Sequence, residues 1–178
     1  MKRGQVWVET VVYTLIGLSL IGLVLGLVTP KINEYRDRTV IEQTVSSLNV
    51  LDARINDVLQ APGNSRIVDF RLKRGDLYFN ASSDEITYVL SDAHGAYSEP
   101  GVAIDIGRIS VLTMPNSETY TTTLTLSYDI DLDYDQNSTI RHYSAAATPY
   151  RFSFTHAGFI SNATSTTVVV RMRELSGA

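Results

Sequence analysis

Apolar residues run almost without a break from Val6 to Val28, where only Glu9 and Tyr13 have ionisable side chains. Gln5–Val28 is 24 residues, about 36 Å as a helix at about 1.5 Å per residue. That is long enough to cross a bilayer core of about 30 Å. Past Pro30 the pattern changes to a recurrence at three or four residues. Ile32, Tyr35, Ile41, Val45, Leu48, Asp52, Ile55 and Leu59 fall on one side of it, mostly apolar. Glu34, Asp37, Glu42, Gln43, Asn49 and Asp57 fill the other positions. This is an amphipathic helix. Pro30 predicts a kink or local break, and Ala61-Pro62-Gly63-Asn64 predicts the stop. Residues 5–60 thus read as one long, bent helix.

After residue 63 the rhythm becomes that of strands. Arg66–Leu72 and Leu77–Ala81 flank Lys73-Arg74-Gly75-Asp76, a hairpin signal. Glu85–Leu90 is a third strand, Asp92–Gly101 a loop, and Val102–Met114 an apolar β-branched run interrupted at Gly107. Thr119–Tyr134 alternates throughout. Tyr120, Leu124, Leu126, Tyr128, Ile130, Leu132 and Tyr134 share one face, against Thr, Ser and Asp on the other. One strand with a buried and a wet face is expected there, partnered by Ile140–Ser144. Arg151–Thr155 and Thr166–Arg173 close the pattern. Seven to nine strands in this length predict an α+β chain: a long N-terminal helix, then an antiparallel β-sandwich-like head. Residues 63–178 are expected to be soluble and β-rich. Ile41, Val45, Leu48, Ile55 and Leu59 would cap that core, so a cut near Lys31 should give the better fragment.

Two features of the apolar helix exceed what an anchor needs. Glu9 sits five residues into it, and a carboxylate in a membrane is unfavourable. A plain anchor could hold it only at the membrane edge. Ser19, Gly22 and Gly26 put small residues on one face, a spacing that lets helix backbones approach in an apolar medium. Ahead of the helix stand only Met1, Lys2, Arg3 and Gly4. The apolar run exceeds the roughly 7–15 residues of an ordinary signal peptide, and no A-x-A-like site follows it.

Lys2-Arg3-Gly4, then Gln5, Glu9 and a continuous apolar helix, resembles the class III signal peptide of archaeal type IV pilin-like proteins. The family pattern places Gln first, Ser two residues on, Glu four on and Leu eight on. Gln5 and Glu9 match; Trp7 and Tyr13 stand where Ser and Leu are usual. The likeness covers about 30 of the 178 residues. It implies that a prepilin peptidase cuts between Gly4 and Gln5 and that the helix stays on the mature chain. It further implies that the helices leave the bilayer to bundle in a filament core. There Glu9 would pair with the new α-amine of Gln5 on a neighbour. The implied layout is a leader over 1–4, an apolar membrane and filament helix over 5–29, an amphipathic continuation over 30–61 and an extracellular head over 63–178. The leader requires a cytoplasmic N-terminus. Counting Lys and Arg does not, since Lys31, Arg36 and Arg38 outnumber Lys2 and Arg3.

Composition removes several classes. The net charge of −4 argues against a nucleic-acid partner. With no cysteine there is no disulfide framework, Cys-zinc site or thiol chemistry. Asp129, Asp131, Asp133 and Asp135 mimic a calcium loop, but neither register supplies the Gly and Glu of an EF-hand. They read as a solvated strand face, with a weak calcium site near Asp135 as the alternative; no metal or cofactor is expected. Asn80, Asn137 and Asn162 open N-x-[ST] sequons. With eight Asn and about a fifth of residues Ser or Thr, one or two would arise by chance, so three is a mild excess; Asn137 and Asn162 fall in predicted turns, which suits N-glycosylation of an exterior domain. No G-x-S-x-G, S-x-x-K or phosphate loop occurs, and His94, His142 and His156 lack an obvious acid partner in the sequence, so no enzyme is expected.

The expectation is therefore a structural subunit of an archaeal type IV pilus-like filament. Its partners would be the membrane, other copies or related pilins, and the peptidase. It would reside in the cell membrane before assembly and at the cell surface afterwards. A minor or tip adhesion subunit, or a membrane-anchored binding domain that never polymerises, are the alternatives.

Overall fold

The computed structural model describes residues 3–135, 139–161 and 166–175, with side chains from Trp7 onward. One helix, α1 (Arg3–Leu59), opens the chain. Its 57 residues make it about 86 Å long. It passes through Pro30 with no break in helical structure. The missing Pro30 N–H falls just beyond the apolar run, where Thr29 Oγ1 donates to Leu25 O at 2.7 Å. The helix ends as expected. Gly63 takes φ +81°, and Asn64 Nδ2 donates back to Asp57 O at 3.4 Å.

Among the described residues ten strands follow: β1 (Ser65–Phe70), β2 (Asp76–Asn80), β3 (Glu85–Ala93), β4 (Ala103–Ile106), β5 (Ile109–Asn116), β6 (Thr119–Ser127), β7 (Asp131–Tyr134), β8 (Ile140–Ser144), β9 (Tyr150–Ser161) and β10 (Thr166–Glu174). They form a four-stranded sheet in the order β1-β9-β10-β7 and a six-stranded sheet in the order β4-β5-β6-β3-β2-β8. Pairing is antiparallel except between β7 and β10. The α+β sandwich expected from the pattern is present.

Three connections differ from expectation. Lys73-Arg74-Gly75 does not close a hairpin, because β1 and β2 belong to different sheets. Gly75 turns the chain at φ +79° where a Cβ would meet Val89 O at 2.6 Å. Thr119–Tyr134 is two strands, one in each sheet. Asp84 makes the switch: its carbonyl accepts from Tyr128 N at 3.0 Å and its carboxylate from Leu132 N at 2.8 Å. Leu124, Leu126, Tyr128, Ile130 and Leu132 stay buried across the break. Both sheets face one core, so a chain crossing between them keeps its inward parity. Finally, β8 pairs with β2 and not with the 119–134 segment.

Leu48, Leu51, Ile55 and Val58 of α1 are fully buried in one cluster with residues of both sheets, among them Phe70, Leu77, Tyr88, Leu126 and Phe154. Ile41 and Val45 extend that helical face. Ile32 and Tyr35, expected on it, are exposed, and Leu51 and Val58, not singled out, belong to it.

Candidate assembly surface

Among the described residues the head buries none of the large apolar side chains of α1 before Val40. From Trp7 to Pro30 every residue is exposed except half-buried Gly17. A helix apolar all round is stable only when a membrane or other helices enclose it. By length and composition it is long and apolar enough to cross a membrane. Thr14 and Ser19 each donate to a carbonyl one turn back, at 2.9 and 2.8 Å, which removes the cost of leaving their hydroxyls without partners in an apolar phase.

The sequence-predicted assembly residues fall on this uncovered segment. Ser19, Gly22 and Gly26 lie within about 60° of arc at about 100° per residue. A Cβ placed on Gly22 or Gly26 would meet nothing within 4 Å, so neither glycine is explained by packing within the chain. Glu9 is exposed and lies about 80–140° round the helix from the small residues. The carboxylate and the small stripe therefore face different directions. Gly4 and Gln5 lie in the first turns of α1, with side chains outside the described residues.

What joins this surface to the head is a polar clamp that the sequence did not disclose. Asp37, expected among the solvent-facing positions, is 2% exposed. Its carboxylate accepts from Arg74 Nη1, from His94 N at 2.7 Å and pairs with His94 Nδ1 at 2.9 Å. Arg74 Nη2 also donates to Asp92 O at 3.1 Å. Beside it Gly95 lies so close to the helix that a Cβ would meet Glu34 Cγ at 2.4 Å. Further along, Asp52 accepts from Arg108 Nη1 at 2.9 Å. These polar contacts fix the helix against the sheets, one just before the buried apolar face and one within its length.

Burial acts to raise the pKa of Asp37, but the His94 donors and the Arg74 charge outweigh it and hold it below the usual carboxylate range. Its stabilisation is therefore complete above the unfolded value of about 3.9 and is lost as pH falls through the lower folded value. Asp37→Asn should cost about 1.5–3 kcal/mol, a fall of roughly 3–12 °C in the melting temperature of a domain this size. It should also flatten the stability profile below about pH 4. Unfolding followed across pH 2–7 checks both; an unchanged midpoint and profile would make the clamp incidental.

The other candidate residues do not gather into a site. Asp133 pairs with Arg171 at 2.9 Å and Asp135 with Arg173 at 3.1 Å across the parallel β7–β10 pair. The carboxylate row expected to be solvated is thus partly neutralised. Burial, then Asp84 and Asp133, raise the Asp131 pKa, and Asp129 is exposed. Among the described residues no group of three or more His, Cys, Asp or Glu is placed to hold a metal. Asn80 is half-buried at the end of β2, its Oδ1 accepting from Ser82 N at 3.0 Å. Asn137 and Asn162 lie outside the described residues.

The histidines differ from expectation. His156 is buried in β9, and its Nδ1 accepts from Gly158 N at 3.1 Å. His94 has Asp37 as its acid partner. His142 Nε2 lies 2.8 Å from Asp76 Oδ1 and 3.4 Å from Ser144 Oγ, which itself donates to the same Asp76 oxygen at 2.9 Å. A nucleophilic relay needs the imidazole between acid and hydroxyl, one nitrogen for each. Here one nitrogen and one carboxylate oxygen serve all three groups on an open strand face, so no relay is built.

No protein-family model, no curated protein and no solved structure matches the chain. A long apolar N-terminal helix followed by a β-rich domain is compatible with a pilin-like layout, and the helix suggests membrane association.

Proposed function

We propose that this chain is a structural subunit of an archaeal type IV pilus-like surface filament. It is inserted in the cell membrane by α1, cut by a prepilin peptidase between Gly4 and Gln5, and assembled through the exposed helix. One observation carries the reading: the uncovered apolar segment and the helix that fills the head core are a single element. A flexible linker would let a membrane-tethered binding module sample its surroundings. A filament subunit needs the opposite, because the packing of the helices must fix the positions of the heads. Continuous helix through Pro30, the Asp37 clamp and the Asp52–Arg108 pair supply that stiffness.

The Glu9 carboxylate and the Ser19, Gly22, Gly26 stripe support the same reading, since packing within the chain accounts for neither. Purified surface filaments and their mass spectrum test it. The subunit is expected in the filament with Gln5 as its first residue. Filaments lacking the chain, or containing it with Met1 intact, would overturn the proposal.

A further inference from the structure

The charge of this chain is strongly segregated. Residues 31–47 and 71–74 hold six Lys and Arg against three Asp and Glu, and the rest of the chain holds nine against sixteen. The fold brings those two segments together at the base of the head, just past the apolar helix. Lys73 Nζ reaches Gln43 Oε1 at 3.2 Å and Arg74 reaches Asp37. Of the three acids, Asp37 is consumed by Arg74 and His94. Glu34 pairs with Lys31 and Glu42 with Arg38. Among the described residues Arg36, Arg71 and Lys73 have no carboxylate partner.

The free cations border a trough. Its lower part, about 600 Å³, has Ile32, Tyr35 and Val40 along one side and Arg36, Lys73 and Arg74 along its rim. Tyr35 is 70% exposed. The placement matches a bilayer. Glu9 to Pro30 spans about 31 Å along the axis, the thickness of a hydrocarbon core, and Trp7 to Tyr35 about 42 Å, the distance between headgroup layers. Trp and Tyr at both edges are the usual interfacial anchors. Lys31 to Arg38 then lie within about 12 Å of the core edge, about a Debye length.

We propose that this collar docks the head on the membrane by binding anionic phospholipid headgroups, phosphate on the cationic rim and glycerol backbone against Ile32 and Tyr35. Juxtamembrane Lys and Arg are drawn to anionic lipid surfaces. An exposed apolar side beneath them suits the interface better than bulk water. The proposal needs only the membrane-inserted helix. It holds for whichever leaflet the head rests on, and for a subunit that never polymerises.

The test uses the full chain in neutral detergent and native mass spectrometry, titrating phosphatidylglycerol against phosphatidylcholine. Phosphatidylglycerol adducts should exceed phosphatidylcholine adducts several-fold. Arg36→Gln with Lys73→Gln should reduce the bound-to-free ratio several-fold, since both rim cations that lack a carboxylate partner are removed. Arg36→Lys with Lys73→Arg should retain the lipid. Inorganic phosphate should not displace it. Equal adducts of both lipids, an unaffected Gln variant, or displacement by free phosphate would overturn the proposal. So would a protein dimer that forms in place of the lipid adduct and is lost in the Gln variant, because the collar would then face the acidic surface of a second copy. Circular dichroism confirms that both exposed variants fold.

Discussion

A fragment of residues 31–178 will fold cooperatively, and a fragment of residues 63–178 will not. The shorter piece contains every strand yet lacks Ile41, Val45, Leu48, Leu51, Ile55 and Val58, each under 9% exposed in the intact chain. Burying such side chains stabilises by about 1.5–3 kcal/mol apiece, about 9–18 kcal/mol for the six. A domain of this size has a net stability of only about 5–15 kcal/mol. The loss therefore matches or exceeds the whole margin, even after discounting for a compact unfolded chain. Polar partners are stranded too, since Arg108 loses Asp52, and Arg74 and His94 lose Asp37. Both fragments should give strand-rich circular dichroism. Only the longer should show a sharp unfolding transition and resist aggregation, so the solubility expected of 63–178 from its strand pattern is revised by the helical share of the core. A cooperative transition in 63–178 within a few degrees of the longer fragment would mean that the sheets form a core without the helix.

That prediction also shows where the sequence could be read and where it could not. Apolar spacing over Ile41–Leu59 placed the helix on the core, because burial of one helical face repeats every three to four residues. It placed Ile32 and Tyr35 there as well, since spacing alone cannot tell where the head stops covering the helix. Alternation over Thr119–Tyr134 marked the correct inward side chains but not the two strands. Parity reports which way a residue faces, and two sheets around one core share that direction. The change of sheet depends on Asp84, more than 40 residues upstream. Asp37 was legible only as a polar position on a helix. Its burial depends on Arg74, brought to it by a crossover between sheets that looked like a hairpin, and on His94, which opens the loop after β3. The candidate assembly surface was the most legible part, because an uncovered apolar helix is a property of composition and needs no tertiary contact.

Glu9→Gln should give a subunit that is cleaved, retained in the membrane and unassembled. In the membrane-inserted state Glu9 stands near the edge of the hydrocarbon core, and removing its charge there is harmless or eases insertion. In a bundle of helices the environment is apolar on every side, and the head offers Glu9 no partner, because it covers nothing in this part of α1. Under the proposed function the partner is the α-amine of Gln5 on a neighbouring subunit. Breaking one side of such a buried pair costs about 3–5 kcal/mol per contact, a fall of roughly 10²- to 4 × 10³-fold in the association constant. Glutamine keeps the size and most of the hydrogen bonding, so the loss is electrostatic. Processing should persist, since the scissile bond lies four residues away. Immunoblots of membrane and sheared-filament fractions read all three properties together. Normal filament yield from the variant would end the pairing role and leave Glu9 as a residue of the membrane edge. Loss of both cleavage and filaments would instead assign it to recognition by the peptidase.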